Sequence, residues 1–501
     1  MCEDGAAKTC DGGVFAAPEV CSEVCVDGLG CVACTPDTLL CDGDMLMRCG
    51  EDGAPGDTVL TCDPVQGLSC DAGAGGCAGV CAFDEARPSE YGCEFWAAPL
   101  PQGFAGANGF GVALTNTCAG PTHYQIDLVG KPLLMGEVAA GASKFVVMPR
   151  LPPLGFVEAS ILTTNGSYRV RTNCPVGALQ FSGDGTWQSV DATRLYPTDR
   201  WGNDAWVMSW PTQSGVDSDI ESYFTVMARD DGTTVTIDSP AGIAVSPILT
   251  IDADGDGELM LDRGQILLLL AELPDDMTGA RVAADGPITV FGGHVCASVP
   301  DTDGTCDHLE EVMPPTSALG KNHVVVPPQG PDAIAHMIRV VGTQDGTQVM
   351  TADLKVPKSV DAGGFIEFGP TMEPLAIAAS APVLVGQFMV SYGFGSSSDP
   401  SLLVQAPIEQ FDTTHNFWTP EGWLLTTVAV AAPPDTMATL DGEPVVGWMP
   451  VKGTTMGVAV VVIDTPGPHV LIADQPVGIG VYGQEKYASY AYAGAWDLPP
   501  P

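Results

Sequence analysis

Basic side chains are scarce in this sequence: 19 Lys and Arg stand against 62 Asp and Glu, for a formal net charge of −43. A surface so negative repels phosphate backbones and anionic membranes, which argues against a nucleic-acid partner. Long apolar runs are missing too. The longest, residues 265–270 and 457–463, fall far short of the ~18–20 residues of a bilayer-spanning helix, so they read as buried strands and no transmembrane segment is expected. The short signatures of catalysis are absent: there is no GxSxG elbow, no P-loop, no GxGxxG after a strand and no HExxH. The Gly/Ser-rich residues 393–398 follow a strand with no helix to present phosphate-binding amides and read as a loop. No basic and apolar leader accompanies Met1-Cys2, so an export signal, or a lipoprotein cleavage site before Cys2, is expected outside this sequence.

Cysteine is abundant and unevenly placed. Of 17 Cys, twelve precede residue 82, a density that points to an oxidising compartment and an extracellular or cell-surface location. Residues 1–87 lack sustained apolar periodicity and cannot bury much core, so this head is expected to be a disulfide-stapled module. Within it, Cys41 to Cys49 reads as a short hairpin. Cys31-x-x-Cys34 has the spacing of a redox or zinc site, but no His occurs before His123 and ten other Cys compete for these two, which favours structural disulfides.

Beyond the head the chain alternates runs rich in Val, Ile, Thr, Phe and Tyr with Gly, Pro, Asn and Asp clusters, the pattern of an all-β protein. One motif occurs four times: Thr172-Asn-Cys-Pro175 leading to Phe181, Ala284-Asp-Gly-Pro287 to Phe291, Ala379-Ser-Ala-Pro382 to Phe388, and Ala473-Asp-Gln-Pro476 to Tyr482. Proline fits the entry to a strand, where its missing donor does least harm. A second echo, Asp231-Gly-Thr-Thr and Asp345-Gly-Thr-Gln, supplies strand, Asp-Gly turn, strand at matching places in consecutive copies. A period of about 95–110 residues suits a small β-sandwich better than a solenoid repeat. The expected architecture is about four tandem sandwich-like units, at 88–200, 201–315, 316–411 and 412–501, after the Cys-rich module of 1–87. A β-propeller-like arrangement is the alternative.

Chemistry concentrates in residues 284–315, where His294, Cys296, Cys306, Asp307, His308, Glu310 and Glu311 crowd together. Cys296 and Cys306 suit a disulfide closing a small loop, which removes them as metal ligands. His294, His308 and Glu310 remain as binding candidates, with a metal-dependent hydrolase as the remoter reading, because a Pro-flanked loop lacks the helical geometry of a zinc motif. Cys118 and Cys174 are expected to pair, which leaves Cys93 free, joined to the head or joined to another chain. Asp252, Asp254 and Asp256 supply the first, third and fifth carboxylates of a calcium loop, but Arg263 stands where its bidentate Glu belongs; a solvated acidic hairpin is the competing reading, and no cofactor is required. Trp187, Trp201, Trp206 and Trp210 cluster in one connecting region, with Trp201 and Trp206 as candidates for a glycan platform against a role in packing.

Several stretches resemble one family. Tyr91-Gly-Cys93-Glu-Phe-Trp96, the strand ending at Ile237, Leu261-Asp-Arg-Gly264 leading to Met277-Thr-Gly-Ala-Arg281, and above all Phe291-Gly-Gly-His294-Val-Cys296 through Cys306-Asp-His308-Leu-Glu310 to Pro315 are similar to the IgGFc-binding N-terminal domain family. The family is named for a mucus protein and also occurs in large secreted proteins of predatory gliding (myxobacterial) bacteria; the Cys-rich head resembles modules found beside such domains there. The resemblance spans roughly residues 88–490 and implies a secreted or surface-attached recognition or adhesion protein without catalytic machinery, binding a protein or glycan of a cell surface or matrix. A structural spacer or assembled surface component is the alternative.

Overall fold

A computed structural model describes residues 1–11, 14–15, 17–103, 109–149, 154, 159–183, 189–214, 219–243, 250–300, 306–329, 334–392 and 399–499. The chain divides into two compact units, Met1–Asp84 with Arg171–Pro175, and Glu85–Val170 with Val176–Pro501.

The smaller unit is held by bonds more than by a core. Its strands are short, such as the antiparallel ribbon Val24–Val26 with Gly30–Val32 and the three-stranded sheet of Leu39–Asp42, Met45–Cys49 and Pro55–Thr61. Gly43, at φ 60°, makes the turn of the hairpin between Cys41 and Cys49. Leu46 is the one large aliphatic side chain fully buried among the described residues of this unit. Disulfides Cys2–Cys25, Cys21–Cys31, Cys34–Cys49, Cys41–Cys70 and Cys62–Cys77 supply what the core does not, and they place Cys31 and Cys34 in two different structural bridges.

The larger unit is all-β, built of four sandwich-like repeats. Each of the last two is organised on one long strand, Leu375–Met389 and Gly467–Glu485, that runs through both of its layers. In the third repeat, residues 375–379 of that strand pair with residues 322–325 and 349–350, whereas residues 383–389 pair with His336–Gly342 and Leu402–Val404. Pro382 stands at the change of layer. In the fourth repeat Pro476 occupies the same place, and in the second the strand is interrupted there, as Arg281–Ala284 and Ile288–Ala297 on either side of Pro287. The recurring proline therefore marks a crossing between layers: lacking a donor, it can sit where one ladder has ended and the next has not begun.

The small polar residue two positions before each of these prolines has a job of its own. Asp285 Oδ1 accepts the Thr234 amide at 2.8 Å, Ser380 Oγ the Gln348 amide at 2.9 Å, and Asp474 Oδ1 the Met437 amide at 2.8 Å. The Asp-Gly turns also repeat in detail. Gly232 and Gly346 take φ of 71° and 69°, and their amides donate to Asp262 and Asp361, while Asp231 and Asp345 accept from the amides of Arg263 and Ala362. The strands flanking each turn do not pair with one another. Ser222–Ala228 and Thr233–Asp238 lie in different sheets, so the turn is an arch between layers and not a hairpin. Short 3-10 turns, each entered from a proline, join the repeats: Thr198–Arg200 after Pro197, Thr316–Ala318 after Pro315 and Ile408–Gln410 after Pro407.

The repeats share a core that extends from Phe95 to Leu498, and Ile161–Thr163 from the first repeat completes a sheet of the second beside Ile266–Leu270. Four short inner strands, Asp191–Arg194, Asp307–Met313, Leu402–Val404 and Ala488–Ala493, one from each repeat, gather into a hub: each lies against the next and the last lies against the first. The circuit is fastened by a seam between residues far apart in sequence. The Ser89 hydroxyl donates to the Trp496 carbonyl, the Leu498 amide donates to Ser89 Oγ at 2.9 Å, and Arg194 meets Glu90 at 3.2 Å and the Asn416 carbonyl at 3.0 Å.

Candidate recognition site at the hub

Each repeat enters its hub strand from the end of the strand before it, so four connecting segments arrive at the same end of the hub. Hydrogen bonds knit them together. The His308 amide donates to Ser189 Oγ at 2.9 Å, the Val299 amide to Ser391 Oγ at 2.8 Å, the Ser489 amide to Asp307 Oδ2 at 3.3 Å, and the Ser489 hydroxyl to the Asp399 carbonyl. Below them Asp191, fully buried, accepts four backbone amides: its own neighbour Ala192 at 3.0 Å, Glu310 at 3.1 Å, Leu402 at 3.0 Å and Ala491 at 3.2 Å. One carboxylate thus touches a hub strand of every repeat. A site closed to water strengthens such bonds.

The hub is unusually acidic for an interior. Burial pushes the carboxyls of Asp191, Asp307 and Glu311 well above the ordinary carboxylate range, with backbone and hydroxyl donors pulling them back down. Glu310 Oε2 accepts from the Ser182 hydroxyl at 2.5 Å and from Gln180 Nε2 at 3.3 Å, and lies 3.1 Å from His308 Nε2. These contacts join the first repeat to the second.

The His, Glu and Trp binding candidates read from sequence lie inside the protein, whereas Asp252, Asp254 and Asp256 are exposed in a separate turn. His294, His308 and Glu310 expose no surface; Trp201 and Trp206 are 3% and 7% exposed. His294 bonds the Pro211 carbonyl through Nε2 at 3.0 Å and takes the Cys296 amide on Nδ1 at 3.1 Å, and burial lowers its pKa to about 4. It is a neutral imidazole bracing a strand. The Trp201 indole donates to the Tyr196 carbonyl at 3.0 Å, and Arg281 lies over the Trp206 ring at 5.7 Å. Trp187 and residues 393–398 lie outside the described residues.

Cys296, in the strand Ile288–Ala297, forms a disulfide with Cys306, the residue just before the paired strand Asp307–Met313. Cys81, Cys93, Cys118 and Cys174 are each disulfide-bonded, so Cys93 is not a free thiol. In the 252–256 turn, Asp252 Oδ1 accepts the amides of Asp254 and Asp256 at 3.1 Å each, and Asp256 Oδ1 accepts the Ser239 amide at 3.0 Å. Among the described residues no three His, Cys, Asp or Glu side chains converge as a metal would require.

Sequence reasoning missed Asp191, Asp399 and Ser89. An Asp between Val190 and Ala192 in a strand pattern was the available signal, since an acid in an apolar run must find donors. It also missed a groove of about 360 Å³ between the first and fourth repeats, lined by Tyr91, Asn116, Asn416, Asp441 and His469. There His469 bonds Asp441 through Nδ1 at 2.7 Å and Thr419 through Nε2 at 3.0 Å, the serial order of a nucleophile relay. Thr419 is 1% exposed, however, so the series ties strand ends together out of reach of a substrate.

Residues 191–483, more than half of the chain, match the profile described as IgGFc binding protein. This chain belongs to that family. Among curated proteins, the human IgGFc-binding protein is 26% identical over 230 residues, 44% of this chain but only 4% of the human protein's length. Two B repeat units of the collagen binding protein of Staphylococcus aureus are 9% identical, covering 80% of this chain and 98% of that one, at a TM-score of 0.10 that carries no weight for the fold. The family match begins at the first hub strand and runs into the last long strand, so it takes in Asp191, the Cys296–Cys306 bridge and the 284–315 stretch.

Proposed function

We propose that this chain is a secreted or cell-surface recognition and adhesion protein that binds a protein or glycan of a cell surface or matrix through the connecting segments at the hub, without catalysis. The observation that carries the reading is the convergence of one segment from each repeat over a buried base to which hydrogen bonds tie them, the arrangement by which scaffolds present binding loops. Membership of a family named for binding, and the name of the human relative, support it; so do the disulfides, which belong to an oxidising compartment. The resemblance of the head suggests gliding bacteria as the setting. His294, His308, Glu310, Trp201 and Trp206 serve by holding the loops in place. On this reading no cofactor is required; the Asp252 and Asp256 side chains of the 252–256 turn already accept backbone amides, and calcium binding heat that disappears in Asp254→Ala would reverse the statement.

The test is retention of partners from cell-surface and matrix extracts by the full-length chain, against a control with the Cys296–Cys306 bridge removed. Saturable retention that weakens in the control is expected. Self-association with nothing retained would favour the spacer reading, which the seam between Ser89 and Trp496 already disfavours because it folds the four repeats back on themselves.

A further inference from the structure

The last connection at the hub is a two-residue turn, Lys486-Tyr487, between the paired residues Glu485 and Ala488. Its second position has φ 66°, a left-handed conformation that suits Gly or Asn and strains a bulky side chain. A tyrosine is held there regardless, 47% exposed, its ring 4.9 Å from that of Tyr392, itself 38% exposed, at 61°. Tyr392 belongs to the connecting segment of the third repeat, so two repeats bring one ring each. The Lys486 ammonium lies 4.7 Å from the centre of the Tyr487 ring and 6.0 Å from that of Tyr392. A strained residue kept at an exposed point is a hint of function, since glycine would make the same turn without strain.

Resting on the recognition reading above, we infer that Tyr392, Lys486 and Tyr487 form a subsite for an uncharged glycan. Two phenol rings have the breadth of one or two pyranose units and offer apolar faces for sugar C–H groups, with hydroxyls and one ammonium for sugar oxygens. They are far too small for a protein partner, which takes about 800 Å² from each side. A net charge of −43 disfavours acidic saccharides, and a single lysine does not offset it.

The full-length chain and its variants Tyr487→Gly and Tyr392→Ser are applied to an array of neutral, sialylated and sulfated oligosaccharides, and their thermal midpoints are measured. Neutral glycans should be retained by the native chain and lost at least tenfold in both variants, while Tyr487→Gly melts at the same or a higher temperature because its turn is relaxed. A purely structural tyrosine would lower the midpoint and leave retention alone. Equal retention by both variants, a preference for sialylated or sulfated glycans, or no array binding by a chain that still captures surface proteins would each overturn the subsite and leave the recognition reading standing. Failure on the array and in the extracts together would sink both. Tyr392→Ser carries no backbone strain and keeps the test decisive should the glycine variant misfold.

Discussion

Asp191 shows how much can depend on one side chain in this fold. Removing its carboxylate leaves the amides of Glu310, Leu402 and Ala491 without acceptors in a site closed to water. Each orphaned buried donor costs about 1–3 kcal/mol, so Asp191→Ala should destabilise the larger unit by at least about 3 kcal/mol in chemical denaturation. The buried histidines give a second expectation at this scale. Burial lowers His294, His323, His336 and His415 from the ordinary 6.5 to about 4. Unfolded chains take up protons below about pH 6.5 where the folded one does not, so each His contributes a loss of stability as pH falls from about 6.5 to about 4. The raised carboxyls of Asp307 and Glu311 work in the opposite sense, their contribution declining as pH rises above the unfolded carboxylate value. In NMR titrations the four imidazoles should stay neutral down to pH 5; any of them titrating near 6.5 would place that ring in water.

At the scale of elements, periodicity and punctuation were good guides to strands and poorer guides to what the strands meet. The proline motif identified the repeats because a donor-less residue is tolerated at few places in a sheet, and the layer crossing is one of them. It did not tell that Ser222–Ala228 and Thr233–Asp238 part company at their Asp-Gly turn, because a hairpin and an arch use the same turn residues and differ only in long-range partners. Spacing suggested the Cys296–Cys306 bridge, whereas the burial of His294, His308 and Glu310 had no local signal: reactive side chains read the same in a loop or in a core. The bridge closes the connection between two paired strands of the second repeat, and the Cys296→Ser, Cys306→Ser double variant should lose about 2–3 kcal/mol. Unfolding curves identical to the native chain's would show that the hub bonds alone hold this corner.

For the whole molecule, the sequence pointed to four all-β repeats behind a stapled head, and the hub lay beyond its reach. Convergence of four inner strands depends on how repeats are rotated about one another, which no single repeat encodes; Ser89 and Trp496 carry no mark of being neighbours. The seam nonetheless makes a clear prediction. Trp496 is 2% exposed at the closing point, and Trp496→Ala should cost about 3–5 kcal/mol and loosen the first and fourth repeats together, seen as raised amide exchange in both Gly92–Ala97 and Ala488–Ala493. Exchange confined to the last strand would mean the circuit does not depend on its closure.

Closure also sets how the larger unit would bear load. Because residue 89 is bonded to residues 496 and 498, tension applied to the two sides of the seam falls first on those hydrogen bonds and on the Arg194 contacts, and only afterwards on the long strands. Under force the seam is the fuse: it would part at low load and release length while each sandwich stays folded, a behaviour that would serve the recognition role proposed above.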